Sequence, residues 1–205
     1  MMVAKRTAVM IFFAVLAGVS FLFDAEISRA MSYLRADILN GFFLGITFIS
    51  SEIIIFFVLT SLFLWNENKR RWIFPLWATL FFSSVIGVLL KVFVHRLRPF
   101  QEKVVSTLPV LVSDSFTVWN YSFPSFQSML VFCTIPILSK EFPRFKYAWM
   151  FFAFLVAFSR VYFGLHYASD VILGGIIGYL IGILIVKLET GNKIVERIYK
   201  FVSKH

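Results

Sequence analysis

The chain has 205 residues, of which 60% are hydrophobic and only 15% charged, and its formal net charge is +9. Soluble domains carry charged residues at roughly 25%, so the composition excludes an ordinary soluble protein and predicts one integral membrane domain over residues 1–205. The single cysteine, Cys133, lies in an apolar run, which excludes a disulfide framework and a thiolate metal site.

Six apolar stretches of membrane-spanning length follow one another along the chain. They cover about 7–23, 41–64, 72–94, 122–138, 147–163 and 168–186, each close to the roughly 20 residues that a membrane helix needs. The pattern predicts an all-α fold, a polytopic bundle of six transmembrane helices. The first stretch lacks a clear signal-peptide cleavage site and is interpreted as a retained span.

Basic residues predict the orientation of the bundle. Thirteen of the 20 lie at the same ends of the predicted spans, namely Lys5, Arg6, Lys69, Arg70, Arg71, Lys140, Arg144, Lys146, Lys187, Lys193, Arg197, Lys200 and Lys204. Because cytoplasmic loops are enriched in Lys and Arg, both termini are predicted to be cytoplasmic in a cell membrane. Anionic lipid at the inner leaflet accounts for the positive charge, and no nucleic-acid partner is expected.

Two further patterns concern helix surfaces. Apolar residues recur at helical spacing between the first two spans, at Ile27, Met31, Leu34 and Ile38. This spacing predicts an amphipathic helix on the outer membrane surface. Small residues recur every fourth position in the last span, at Gly174, Gly178 and Gly182. Such a ridge serves packing within the bundle or dimerisation; the first is favoured, and the oligomeric state stays open.

A first polar motif, Lys91-x6-Arg98-Pro99, closes the third span at its outward end. Lys91 and Arg98 are seven residues apart, which predicts that both lie on one helix face. A lysine inside an apolar span is costly and usually functional. The neighbouring Arg96 and Lys103 are instead interpreted as anchors whose long side chains reach the lipid headgroups.

A second motif opens the fourth span. Ser122-Phe123-Pro124 is typical of a helix cap followed by a proline in the first turn. The next three amides, those of Ser125, Phe126 and Gln127, would then be free donors at a helix N-terminus, where anions bind.

The third motif is Ser159-Arg160-x5-His166-x3-Asp170. The spacing of His166 and Asp170 predicts neighbours on one helix face. A carboxylate there can hold one ring nitrogen as N–H and leave the other lone pair free to attack. The three motifs together gather permanent cations, a hydroxyl and an imidazole, which predicts a phosphate site.

The first and third motifs resemble those of the type-2 phosphatidic-acid phosphatase superfamily, membrane lipid-phosphate phosphatases related to vanadium haloperoxidases. That family carries Lys-x6-Arg-Pro, Pro-Ser-Gly-His and Ser-Arg-x5-His-x3-Asp, and the match extends from Lys91 to Asp170. The resemblance implies that His166 attacks phosphorus to give a phosphohistidine while Asp170 orients it, with no metal or other cofactor. It implies phosphate-binding roles for the side chains of Lys91, Arg98, Ser125 and Arg160 and for the amide of Phe126.

The middle motif departs from the family pattern, because Phe126 and Gln127 replace a glycine and the histidine that protonates the leaving group. Three readings stay open. The protein is a hydrolase of lipid phosphates or polyprenyl diphosphates at the extracytoplasmic face, an impaired relative that binds phosphorylated lipid, or a phosphotransferase. His95 is either a substitute acid or a headgroup-level residue. Glu52 pairs either with Lys91 or with neighbouring hydroxyls.

Overall fold

The structure is a computed structural model that describes residues 15–16, 18–112 and 117–192. The predicted first span lies largely outside these residues, although 18–22 are helical. The helices that follow are α1 (Asp24–Tyr33), α2 (Asp37–Ile49), α3 (Glu52–Trp65), α4 (Ile73–Val94), α5 (Phe126–Cys133), α6 (Ile135–Glu141), α7 (Phe145–Tyr162) and α8 (Ala168–Asn192). Short 3-10 segments occupy Glu67–Trp72, Pro109–Leu111 and Val118–Asn120. The all-α prediction is confirmed.

Membrane-spanning length is reached by two helical segments, Glu67–Val94 and Ala168–Gly191. The pair α2 and α3 forms a third candidate if its bent helices are counted as one span. The described part of the chain therefore contains two or three candidate spans of a multi-pass membrane protein. The count of six stays a prediction.

The predicted span 41–64 is broken in its middle. Helices α2 and α3 meet at an angle of 63°. The Ser50 hydroxyl donates to the carbonyl oxygen of Thr47 at 3.0 Å, and Ser51 is extended immediately before α3. Serine side chains that bond to nearby backbone compete with helix continuation. The break places Glu52 at the first position of α3 and not inside a straight helix.

The predicted span 122–138 is also two helices. The chain enters α5 only at Phe126, with Ser125 as its cap, so the predicted cap at Ser122 is wrong. Pro136 lies in the first turn of α6. Because proline has no N–H, the helical hydrogen bond from residue 136 to the carbonyl of Phe132 cannot form, and the helix is interrupted at Thr134. The predictions for 72–94 and 147–163 agree with α4 and α7 within two residues, and α8 begins at Ala168 as expected but continues to Asn192.

The glycine ridge of α8 packs inside the molecule. A methyl group added at Gly178 would overlap the carbonyl oxygen of Met129, and one at Gly182 would overlap that of Cys133. Both carbonyls belong to α5, so the absence of side chains lets the two backbones approach closely. The prediction of packing within the bundle is confirmed, and this close approach brings the second motif against the third.

The amphipathic helix is shorter than its apolar periodicity predicts. Helix α1 ends at Tyr33, Leu34 caps it, and Ile38 already belongs to α2. Its first residue, Asp24, is buried. The amide of Ser169 at the start of α8 donates to Asp24 Oδ1 at 3.0 Å, which ties α1 to the third motif.

Candidate active site

A cavity of about 560 Å³ opens where the three motifs meet. Its walls contain every predicted site residue except Ser125 and Asp170, together with three residues that the motifs do not include. The lining residues are Lys91, Arg98, Phe126, Gln127, Arg160 and His166, joined by Glu52, Ser84 and Trp119. The structure therefore collects at one place residues that lie as much as 114 positions apart.

Each of the three lining cations is held by a neutral acceptor. Lys91 Nζ donates to the carbonyl oxygen of Tyr121 at 2.5 Å, and Arg98 Nη2 donates to that of Trp119 at 2.6 Å. Arg160 Nη2 donates to the Thr47 hydroxyl at 2.6 Å. Arg160 Nε also donates to the Ser159 hydroxyl at 3.4 Å. These bonds leave further donors for an anion, since a lysine has three N–H groups and an arginine five.

The predicted shared helix face of Lys91 and Arg98 is wrong. Helix α4 ends at Val94, and His95 turns the chain with a positive φ of 52°. Arg98 therefore reaches the cavity from a loop, and Lys91 from the last turn of α4. Burial lowers the pKa of Arg98 to about 10, so its guanidinium stays charged at neutral pH.

His166 presents one free ring nitrogen to the cavity. Its Nδ1 lies 2.6 Å from the backbone carbonyl oxygen of Ser122. Because a carbonyl only accepts, Nδ1 carries the hydrogen, and the lone pair lies on Nε2. Burial, followed by the positive charges of Arg98, Lys91 and Arg160, holds the pKa of His166 well below its usual range. The imidazole is therefore neutral and can act as a nucleophile.

The sequence predicted that the Asp170 carboxylate holds the His166 ring directly, and this prediction is wrong. Helix α8 begins only at Ala168, so the two residues do not share a helix face. The Asp170 carboxylate accepts from the Ser122 hydroxyl at 2.5 Å and from the Tyr167 amide at 2.9 Å. The same Ser122 supplies the carbonyl that holds His166. Ser122 thus connects the Asp170 carboxylate to the His166 ring.

Arg96 is a site residue that the sequence interpretation missed. Its Nη1 donates to Asp170 Oδ1 and its Nη2 to Asp24 Oδ2, each at 2.7 Å. Ser169 joins both residues, since its hydroxyl donates to Asp24 at 2.5 Å and accepts from Arg96 at 2.8 Å. The guanidinium also lies 4.1 Å from the centroid of the Tyr167 ring. The prediction that Arg96 is a headgroup anchor is therefore wrong, and no local signal in the sequence identified its partners.

Ser125 lies behind the cavity wall. It is fully buried, its hydroxyl is 3.0 Å from that of Ser128, and its amide donates to the carbonyl oxygen of Asp170 at 3.1 Å. The predicted free amide at this position is thus already used within the protein. Phe126 and Gln127 supply the first two amides of α5, where helix donors lack partners within the helix.

The Phe126 ring lines the cavity and packs against Trp119 and Gly87. It meets the Trp119 ring edge to face, with centroids 5.1 Å apart. On its other side lies Gly87 of α4, where an added methyl group would come within 2.9 Å of Phe126 Cδ2. A phenylalanine at 126 is therefore accommodated by a glycine at 87.

The two residues whose roles the sequence left open lie in different places. His95 stacks edge to face on Tyr121, with ring centroids 4.8 Å apart, and is not among the residues that line the cavity. Glu52 lines the cavity. Its proposed partner Lys91 donates instead to the Tyr121 carbonyl. Among residues 15–16, 18–112 and 117–192, no group of three or more His, Cys, Asp or Glu side chains is arranged to hold a metal ion.

Comparison with known proteins identifies the family of this chain. Residues 72–194 match the PAP2 superfamily, which covers more than half of the chain and all three motifs. The chain belongs to the PAP2 superfamily. It is 27% identical over 181 residues to an undecaprenyl-diphosphatase of Sulfolobus acidocaldarius, covering 84% of this chain and 81% of that protein.

Two solved structures have a similar fold. The transmembrane PAP2-type phosphatidylglycerolphosphate phosphatase of Bacillus subtilis superimposes with a TM-score of 0.72 at 24% identity, covering 93% of this chain and 98% of that one. Aquifex aeolicus LpxE gives a TM-score of 0.64 at 27% identity, covering 80% and 95%. This PAP2 protein therefore shares the fold of a transmembrane PAP2-type phosphatase.

Proposed function

We propose that this PAP2 protein hydrolyses a lipid diphosphate, with a polyprenyl diphosphate as the preferred substrate class, through a phosphohistidine at His166. The observation that carries the proposal is the cavity itself. Three cations surround one neutral imidazole with a free lone pair. Fixed positive charge around a transferred phosphoryl group, with a nucleophile in line, is the arrangement that phosphoryl transfer requires.

The reaction proceeds in two steps on these residues. His166 Nε2 forms a bond to the terminal phosphorus, and the bond from phosphorus to the bridging oxygen breaks, with its electron pair leaving on the lipid monophosphate. Lys91, Arg98 and Arg160 hold the oxygens of the transferred group. Water then attacks phosphorus, the P–N bond breaks, and its electron pair returns to His166. Inorganic phosphate leaves.

Gln127 supports the choice of a diphosphate. It lines the cavity and cannot release a proton. A lipid alcohol leaves poorly as an alkoxide and needs a general acid, worth about 10²–10⁴ in rate. A phosphate leaves without one, because its second pKa is about 6. Loss of an acid at position 127 therefore costs less for a diphosphate than for a monoester.

Membrane placement is part of the same proposal. The chain crosses the membrane six times, both termini are cytoplasmic, and the cavity opens at the extracytoplasmic end. The clustering of 13 of the 20 basic residues at the opposite ends of the spans supports this orientation. Membrane lipid is then both the solvent of the spans and the source of substrate.

The test is phosphate release by the purified protein from a panel of lipid monophosphates and diphosphates in detergent. We expect release from polyprenyl diphosphates, weaker release from phosphatidic acid, and none from the His166→Ala protein. Tight binding of both substrate classes without release would favour the alternative that the protein is an impaired relative that binds phosphorylated lipid. The presence of Phe126 and Gln127 in the cavity wall supports that alternative. Label appearing on an added lipid or sugar alcohol, and not on water, would favour a phosphotransferase.

A further inference from the structure

Glu52 occupies the boundary between two adjoining cavities. It lines the cationic cavity with Arg160 and His166. It also lines an apolar cavity of about 570 Å³ between α3 and α4, whose walls include Ile53, Phe56 and Trp77. We propose that Glu52 is the general base that activates the water attacking the phosphohistidine. This role rests on the proposed function.

The bend between α2 and α3 puts the carboxylate where it can act. Glu52 is the first residue of α3, directly after the break at Ser50 and Ser51. In a straight helix the residue would belong to the continuous apolar span that the sequence predicted. The 63° bend instead exposes the beginning of α3 to the cavity.

Proton transfer in the cavity needs a group that the other lining residues do not supply. His166 is committed as the nucleophile, and Lys91, Arg98 and Arg160 hold the phosphoryl oxygens as cations. Gln127, Phe126 and Trp119 cannot accept a proton near neutral pH, and the Ser84 hydroxyl is a weak base. Glu52 is the one carboxylate among the residues that line this cavity. A carboxylate can take a proton from attacking water.

The charge and the position of the Glu52 carboxylate are consistent with its role as the general base. Arg160 is close enough to Glu52 for the two charges to interact, and Arg160 is also one of the cations around the transferred phosphoryl group. In the ion pairs of the described residues, the carboxylates belong to Asp24, Asp170 and Glu67. The Glu52 carboxylate therefore stays available to water in the cavity.

The water oxygen forms a bond to phosphorus while the bond between phosphorus and His166 Nε2 breaks. One water proton moves to the Glu52 carboxylate, and the P–N electron pair returns to the imidazole. Phosphate departs, and Glu52 gives its proton to solvent. Glu52 has no part in forming the phosphohistidine, so its removal affects only the second half of the reaction.

The experiment follows both halves with a polyprenyl diphosphate that carries ³²P at its terminal phosphorus. Wild-type, Glu52→Gln and Glu52→Asp proteins are mixed with it and quenched in alkali, which preserves phosphohistidine. We expect Glu52→Gln to show a burst of label on His166 with a stoichiometry near that of the protein, while kcat falls by about 10² or more. Glu52→Asp recovers part of kcat. The matched control is Glu67→Gln, a highly exposed glutamate beyond the other end of α3, which leaves kcat unchanged.

The outcomes separate this role from the proposed function. A Glu52→Gln protein with the wild-type kcat overturns the role of Glu52 alone. Loss of the burst together with turnover also overturns it, because the residue would then serve folding, binding or the first step. A wild-type protein that takes no label and releases no phosphate overturns the proposed function itself. The burst amplitude also reports how much of each variant is folded.

Discussion

The Arg96 guanidinium and the Asp170 carboxylate form a 2.7 Å ion pair. The carboxylate is fully buried, and the same guanidinium pairs with the buried Asp24. One cation thus pairs with two carboxylates and connects α1 to α8. Ser122 connects this pair to the ring of His166.

Replacement of Arg96 tests this connection. Arg96→Ala leaves two buried carboxylates unpaired, and we expect a loss of about 3–5 kcal/mol in the free energy of unfolding. In Arg96→Lys, which keeps the charge but not the two-sided geometry, we expect the fold to persist with kcat lowered by about 10² and KM little changed. Steady-state kinetics and thermal melts measure both effects. Lys103→Ala is the control, and equal kcat for Arg96→Lys and wild type would contradict a positioning role.

The nucleophile is tested at His166. We expect His166→Ala to abolish phosphate release, because no other residue that lines the cavity offers a free imidazole lone pair. Asp170→Asn should reduce release heavily without unfolding the protein, since it weakens the bonds from Arg96 and Ser122. Ser122→Ala keeps the carbonyl that holds His166 and should lose less. Substantial release by the His166→Ala protein would disprove the mechanism.

Anion binding is tested without any turnover. We expect phosphate, sulfate, vanadate or tungstate to raise the melting temperature in detergent, because three cations face the cavity. Binding at 100 times Kd stabilises a folded state by about 2.7 kcal/mol. Arg160→Ala should remove the shift, whereas Arg144→Ala, at an exposed position, should retain it. An unchanged melting temperature at millimolar concentrations of all four anions would argue against a preformed phosphate site.

Gln127 is tested by restoring an acid. We expect Gln127→His to raise kcat/KM for lipid monophosphates more than for diphosphates, since only the monoesters need a proton on the leaving oxygen. Phe126 packs on Trp119 beside this position, so the double variant Phe126→Gly with Gln127→His separates crowding from chemistry. Equal hydrolysis of both classes by the native protein would show that another group supplies the proton.

Acid stability reports the neutral state of His166. Its pKa in the folded protein is lowered, so the unfolded chain takes up a proton below about pH 6.5 that the folded protein does not. We expect stability from this group above pH 6.5 and a loss of at most about 1.4 kcal/mol per pH unit on acidification below it. Melting curves in buffers without anionic ligands should show a weaker acid dependence for His166→Asn. Parallel pH profiles for the two proteins would contradict a buried neutral imidazole.

Composition and motif spacing were enough for the class of protein and for most of its site. Apolar runs of span length predicted an all-α membrane protein, because a continuous apolar run of about 20 residues pairs its backbone groups in lipid by forming a helix. The motifs named Lys91, Arg98, Arg160 and His166, all of which line one cavity. These residues could be identified from the sequence because a charged residue inside or beside an apolar span is energetically costly and therefore rare unless it has a function.

Tertiary structure alone decided the contacts between distant segments. Helix breaks at Ser50 and Thr134 depend on local bonds and proline placement that hydropathy does not record. The partners of Arg96 lie 72 and 74 residues away in the chain, so no local pattern could pair them. A buried charge network forms only when the packing of α1, α4 and α8 brings its members together and excludes water, and that packing made Arg96 part of the site. The bend between α2 and α3 placed Glu52 on the cavity wall.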